Sequence, residues 1–342
     1  MRKINLISDT VTKPTPGMLQ AMMQADVGDD VFGNDPSANR LEEKVAKLFG
    51  MEASLFCPSG TMTNQIAIKI HTNPLDEMIC DRSSHVYQYE AGGYAFHSGI
   101  AVNLIDGTQG KITANQIRDA VKPIHDWLPR SKLVVIENSC NKGGGSYYTL
   151  DELRPISELC RERGLKLHLD GARLFNVLVE TGESTKDVGK LFDSISICIS
   201  KGLGAPAGSL LIGNRDSIRE ARRFRKVMGG GMRQVGYLTA ACEYALDNHV
   251  DRLKEDNQKA KKIAEVLNTL EYIDKVEPVR TNIVIYSLNS KIKVPDYLKH
   301  LSAKGIVASQ FGTHEVRLVT HLDISDDMMR EVIEVLSDGY HI

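Results

Sequence analysis

The chain reads as an α/β protein, with a large domain built on a mostly parallel sheet covered by helices and a small C-terminal α+β domain. Three observations predict this. Between about Glu52 and Asn214 short apolar runs alternate with helical periodicity, the pattern of a doubly wound sheet. A helical pattern rich in Ala, Leu, Lys and Glu, from about Val235 to Leu270, then bridges to a second unit. At 342 residues the chain is also longer than one layer of secondary structure usually organises, which favours two domains. The expected division is 1–249, an N-terminal segment with the large domain, and 250–342.

In chain order, the strands of the large sheet are expected at Ala53 to Cys57, Glu77 to Asp81, Ala101 to Ile105, Leu133 to Glu137, Leu165 to Asp170, Ser194 to Ile199 and Ser209 to Ile212. Between them, apolar residues recur at helical spacing over Asn39 to Leu48, Thr63 to His71, Ala114 to His125 and Leu150 to Arg163, so these helices should cover both sheet faces. In the second unit Thr281 to Leu288, Ile306 to Phe311 and Glu315 to Thr320 read as strands, and Pro295 to Lys304 and Asp326 to Leu336 as helices.

Composition narrows the function. A net charge of −2 and the lack of any block of like charges leave no basic surface for nucleic acid. No apolar run approaches a membrane span, and the start Met1-Arg2-Lys3-Ile4-Asn5 lacks the apolar core of a secretory signal, so a cytoplasmic protein is expected. The six cysteines form no Cys-x-x-Cys pair; buried free thiols are expected, not a disulfide framework or a metal site.

Chemistry concentrates where strands end. Ser194 to Ile199 delivers Ser200 and Lys201 into the bend Gly202-Leu203-Gly204. A lysine held there is positioned, and burial or cationic neighbours favour the unprotonated amine that attacks an aldehyde. Asp170 ends the alternating run Leu165 to Asp170, 31 positions earlier, at the sheet edge where such folds bind ligands. A carboxylate there can keep a pyridine nitrogen protonated, or simply cap the next helix. Lysine and aspartate together read as a site for pyridoxal phosphate. Ser59, Gly60 and Thr61 lie between a strand and a helix, where free N–H groups and hydroxyls can hold a phosphate.

His85 follows another strand; it can stack on an aromatic cofactor, act as a base or cap a helix, and spacing does not separate these. His125 ends a helical pattern, where a histidine can merely complement the dipole. Arg173 lies one turn from Asp170, and Arg317 sits inside the apolar run Val316 to Val319; each offers a fork for a substrate carboxylate, with a solvated edge position as the alternative for Arg317. Arg233 follows Gly229-Gly230-Gly231-Met232, a flexible turn from which it can reach a phosphate of its own or a neighbouring subunit.

In this order, Ser8-Asp9-Thr10-Val11-Thr12, Gly28 to Gly33, Ser59-Gly60-Thr61, His85, Glu90-Ala91-Gly92-Gly93, Asp170-Gly171-Ala172-Arg173, Ser200 to Gly204 and Gly229 to Gln234 make the chain resemble the low-specificity L-threonine aldolases, pyridoxal-phosphate enzymes of the aspartate-aminotransferase fold type. The resemblance implies that Lys201 carries the cofactor as a Schiff base, Asp170 pairs with the ring nitrogen, His85 stacks on the ring, and Gly60 with Thr61 holds the phosphate. It implies that Ser8, Arg173 and Arg317 hold a substrate carboxylate, and that His85 and His125 lie near the β-hydroxyl of a small β-hydroxy-α-amino acid. Arg233 would then reach the phosphate across a subunit boundary in a homotetramer with shared active sites. The expected reaction is cleavage of L-threonine or L-allo-threonine to glycine and acetaldehyde; the alternatives are another β-hydroxy-α-amino acid or β-elimination, since fold and cofactor do not choose the bond broken. Two residues depart from the family pattern: Phe32 stands where tyrosine is usual, and Cys140 where histidine is common.

Overall fold

The computed structural model describes residues 3–340. The outer limits of both expected domains, and Met1 and Arg2 of the start read as lacking a signal, lie outside the described residues.

After a short strand β1 (Ile4–Asn5) come β2 (Ala53–Cys57), β3 (Asp76–Asp81), β4 (Ala101–Ile105), β5 (Arg130–Glu137), β6 (Lys166–Gly171), β7 (Ser194–Cys198) and β8 (Ser209–Gly213). β2 to β8 form one seven-stranded sheet in the order β2-β8-β7-β6-β5-β3-β4. All neighbours run parallel except β8, which is antiparallel to both β2 and β7. Every residue of β3, β7 and β8 is buried, as expected of a sheet whose two faces are covered by helices. Since β6 and β7 are parallel neighbours, their C-terminal ends bring Asp170 and the loop carrying Lys201 to the same edge.

Two helices depart from their expected lengths. The helix opened by Thr113 spans Ala114–Ala120 and stops well before His125, because Pro123 pushes the residue before it out of the α region. The long pattern beyond Val235 is two helices, Gly236–Asn248 and Leu253–Leu267. In the break, His249 Nδ1 meets the Leu203 carbonyl at 2.7 Å, and Arg252 donates to the Gly202 carbonyl at 3.3 Å. The break therefore braces the Lys201 loop.

The C-terminal unit contains β9 (Ile273–Val276), β10 (Ile283–Leu288), β11 (Ile306–Val307), β12 (Ser309–Gln310) and β13 (Glu315–Val319). Its antiparallel sheet has the order β12-β13-β10-β9, while β11 pairs in parallel with β1. Ile4 and Leu6 lie in the same apolar core as Tyr286, Tyr297, Leu318 and Val332. The start of the chain thus packs with the small unit, although it precedes the large one. The strands of the large sheet pack in other apolar clusters. All six cysteines are buried and free. Among the described residues, no helix is long and apolar enough to cross a membrane.

Candidate active site

The C-terminal edge of the sheet, the small unit and the N-terminal segment enclose a cavity of about 380 Å³ whose lining includes Ser8, His85, Arg173, Lys201 and Arg317. These five residues are spread over more than 300 positions, and the tertiary fold brings them together. Tyr89, Asn141, Lys142 and Phe311 are also part of the wall.

Lys201 is held by its backbone. Its carbonyl accepts the Thr12 hydroxyl at 2.9 Å and the Gly204 N–H at 2.8 Å. Gly204 takes φ +85° to close this turn, a conformation that glycine adopts without a Cβ penalty. Ser200 is half-buried beside Lys201, and its N–H donates to the Gly208 carbonyl at 3.3 Å.

The two arginines differ in a way that matters. Arg173 is buried and donates Nε and Nη2 to the Asp9 carboxylate at 2.7 and 2.8 Å. Burial opposes ionisation of Asp9, but the Arg173 guanidinium holds its carboxyl well below the usual carboxylate range. Arg317 has only neutral acceptors, Asn141 Oδ1 at 3.0 Å and the Ile7 carbonyl at 3.2 Å, and its buried Nε has no partner. Burial, with repulsion from Arg173, makes its charge costly. Lys142 lies 4.0 Å and Arg317 5.4 Å from the Phe311 ring centroid. This side of the cavity is built for an anion.

An acidic cluster adjoins His85. A ring nitrogen of His85 and carboxylate oxygens of Glu90 and Asp170 lie within 4.8 Å of one another. His85 Nδ1 is 3.0 Å from Glu90 Oε1, and the His85 backbone N–H donates to Glu137 at 2.7 Å. A carboxylate at Nδ1 fixes the proton there and leaves Nε2 as the lone-pair nitrogen. Burial works against the imidazolium, but the Glu90 hydrogen bond and the charges of Asp170, Glu90 and Glu137 hold the His85 pKa above the ordinary histidine value. Burial, followed by the Asp170 charge, raises that of Glu137.

The helix Gly60–His71 joins the two ends of the site. Its first N–H groups, on Gly60 and Thr61, have no intrahelical acceptor, while the Ser59 hydroxyl caps Met62 N. A Cβ on Gly60 would lie 2.5 Å from Cys198 Sγ, so glycine lets the helix start approach the end of β7. One turn later, Asn64 Nδ2 donates to Asp170 Oδ2 at 2.9 Å. A phosphate cradle, a buried carboxylate for a ring nitrogen and a lysine amine in the cavity thus fit pyridoxal phosphate by the chemistry of the donor set.

Two candidates lie elsewhere. His125 is exposed and stacks on Trp127 at 4.6 Å between centroids. Arg233 is largely exposed and pairs with Asp29 at 2.7 Å, 6.0 Å from the Phe32 ring. Neither lines the cavity of its own chain. Cys140 is buried; its thiol donates to the Glu137 carbonyl at 3.1 Å, and burial followed by the Glu137 charge raises its pKa. It therefore braces the strand end and does not face substrate. The motif reading passes over Asp9, Glu90, Asn64 and Glu137, although Asp9 and Glu90 lie inside quoted motifs and Glu137 ends an expected strand; acids inside motifs or at strand ends are the signal that marks those three, and Asn64 carries none.

The beta-eliminating lyase family model matches residues 5–291. The chain is 42% identical to the low specificity L-threonine aldolase of Escherichia coli K12, over 96% of this chain and 97% of that one. It is 37% identical to low-specificity L-threonine aldolase 1 of Arabidopsis thaliana, over 95% and 93%. The solved threonine aldolase of Leishmania major shares the fold, with a TM-score of 0.84, 24% identity and 98% coverage of each chain. On these matches the chain belongs to the beta-eliminating lyase family and, within it, to the low-specificity L-threonine aldolases.

Proposed function

We propose that this protein is a pyridoxal-phosphate-dependent lyase that cleaves L-threonine and L-allo-threonine to glycine and acetaldehyde. The observation that carries the reading is Arg317: a half-buried guanidinium without a carboxylate partner faces the cavity that holds the Lys201 amine, in a chain whose relatives bear the aldolase name. An α-amino acid supplies the missing carboxylate.

When bound, pyridoxal phosphate supplies the electron sink for the carbanion left at Cα as the Cα–Cβ bond breaks. Lys201 would hold it covalently, Asp170 would face its ring nitrogen, and Ser59, Gly60, Thr61 and Ser200 would lie along its phosphate side. Arg317, with Arg173 and Ser8, orients the substrate carboxylate through charge-assisted hydrogen bonds. His85 presents Nε2 to take the β-hydroxyl proton directly or through water, a contribution of about 10²–10⁴ in rate for a positioned base. In a homotetramer with shared sites, His125 and Arg233 would join such a site from a second copy. Six buried thiols agree with a reducing, cytoplasmic setting.

The test is release of glycine and acetaldehyde by the purified, cofactor-loaded protein, with the two substrates offered separately. Equimolar products are expected. A cofactor-loaded protein that cleaves neither substrate overturns the aldolase reading.

A further inference from the structure

Behind the cavity a file of polar side chains runs through the interface between a helix and the sheet. Asn64 and His71 are seven residues apart on the helix Gly60–His71, which places them on one face, two turns apart. His168 on β6 and Ser194 on β7 are direct partners in the sheet register. The two pairs interlock. His71 Nε2 lies 2.8 Å from Ser194 Oγ, Ser194 Oγ lies 2.8 Å from His168 Nδ1, and His168 Nε2 lies 3.2 Å from Asn64 Oδ1. Asn64 Nδ2 then donates at 2.9 Å to Asp170 Oδ2 and at 2.9 Å to Glu90 Oε1.

The acceptors at the end determine every hydrogen in the file. Two carboxylates demand the amide nitrogen of Asn64, because its carbonyl oxygen would repel both. Asn64 Oδ1 must then receive the Nε2 proton of His168. Burial keeps that ring neutral, with its pKa lowered to about 3, so Nδ1 is an acceptor and takes the Ser194 hydroxyl proton. Ser194 in turn accepts from His71, which burial also keeps neutral, with a pKa of about 4. Stability alone does not call for such a file, since apolar partners of the same shape in a helix–sheet interface would be nearly neutral. Its endpoints are the carboxylate facing the ring nitrogen and the carboxylate that fixes the tautomer of His85.

We propose that His71, Ser194 and His168 are positioning residues that anchor the Asn64 side chain through Oδ1, so that a single side chain sets both Asp170 and Glu90. This rests on the pyridoxal-phosphate reading above. With the donor to Oδ1 removed, that buried oxygen is left unpaired, the Asn64 side chain shifts to satisfy it, and the hydrogen bond that holds Asp170 toward the ring nitrogen is weakened. The cofactor is then bound less tightly, and the pH midpoint of its visible absorption rises, because a ring that keeps less positive charge leaves the lysine-linked nitrogen more basic.

The test measures the dissociation constant of pyridoxal phosphate for the apoprotein, and the pH midpoint of the visible band of the loaded protein. His168→Asn keeps a group near Nδ1 but none near Nε2, whereas His168→Gln carries an amide N–H to the Nε2 position. The expected result is a dissociation constant raised about 10-fold or more in His168→Asn, the scale of one lost hydrogen bond to a charged-site partner, together with a raised midpoint. His168→Gln should lie within about 3-fold of the parent. Equal impairment of the two variants, or an unchanged constant and midpoint in His168→Asn, overturns the proposal. Should His168→Asn not fold, Ser194→Ala decides: a weaker affinity with a raised midpoint supports the file, and parental values overturn it. Failure of the parent protein to bind pyridoxal phosphate sinks the cofactor reading itself, and this inference with it.

Discussion

Asp9 grips Arg173 through two parallel hydrogen bonds of 2.7 and 2.8 Å, across 164 positions of sequence, while Asn282 donates to the same carboxylate at 3.1 Å. The pair is buried, so its geometry is imposed and not sampled. Arg173 thereby presents its remaining N–H groups to the cavity from a fixed frame. Asp9→Asn leaves a buried guanidinium without its charge partner, and the expected cost is about 3–5 kcal/mol. Denaturant unfolding should show that loss, and the KM for threonine should rise more than kcat falls. A variant as stable as the parent with unchanged KM would remove Asp9 from the site.

Arg317 should behave in the opposite way. It has no carboxylate to lose, and its burial is costly, so Arg317→Leu should leave the unfolding midpoint unchanged or raised. Catalytic efficiency should fall by about 30-fold or more, the scale of a lost buried charge-assisted contact of roughly 2–5 kcal/mol. Steady-state kinetics on L-threonine beside a denaturation curve separates the two effects; loss of stability without loss of kcat/KM would show that Arg317 is structural.

Gly60→Ala should weaken cofactor binding. The new methyl would lie 2.5 Å from Cys198 Sγ, and relief requires a shift of the helix start, at about 1–3 kcal/mol. Cys198→Ala should partly restore the affinity lost in Gly60→Ala. A double-mutant cycle on pyridoxal-phosphate affinity reads this coupling; strict additivity would exclude the clash as the cause.

The apoprotein should lose stability as pH falls below about 6.5. His71 and His168 ionise at about 4 and about 3 in the folded chain, against an unfolded value of about 6.5. Above that value both states hold the rings neutral and the full stability is present. Below it the unfolded chain takes up protons first, and each histidine removes up to about 1.4 kcal/mol per pH unit until its folded pKa is reached. Glu137 has its folded pKa raised, so it opposes this slope, gaining a proton first in the folded chain as pH falls toward its unfolded value. Glu137→Gln should therefore steepen the acid loss and His168→Gln should flatten it. Urea titrations between about pH 4.5 and 8 check both signs, and parallel curves for the three proteins would contradict them.

The alternation of apolar strands and helices is a local property, written in periodicity, so the sequence by itself determined the α/β class and all seven strands of the large sheet. Local signals also put Asp170 at the end of one strand and Lys201 just beyond another, after the alternating run Leu165 to Asp170 and the run Ser194 to Ile199. Two local readings failed for identifiable reasons. Pro123 ends the helix before His125, and the pattern beyond Val235 breaks so that His249 and Arg252 can reach the Lys201 loop. Sequence spacing could not assign Ile4 and Leu6 to the small unit, because pairing of β1 with β11 joins residues about 300 positions apart. Nor could it separate the two arginines. Each is a cation near an apolar run in the sequence; only the folded chain gives Arg173 a buried carboxylate and leaves Arg317 without one. Whether a charge is spent on the protein or kept for a ligand depends on which groups share its low-dielectric surroundings, and tertiary packing alone decides that.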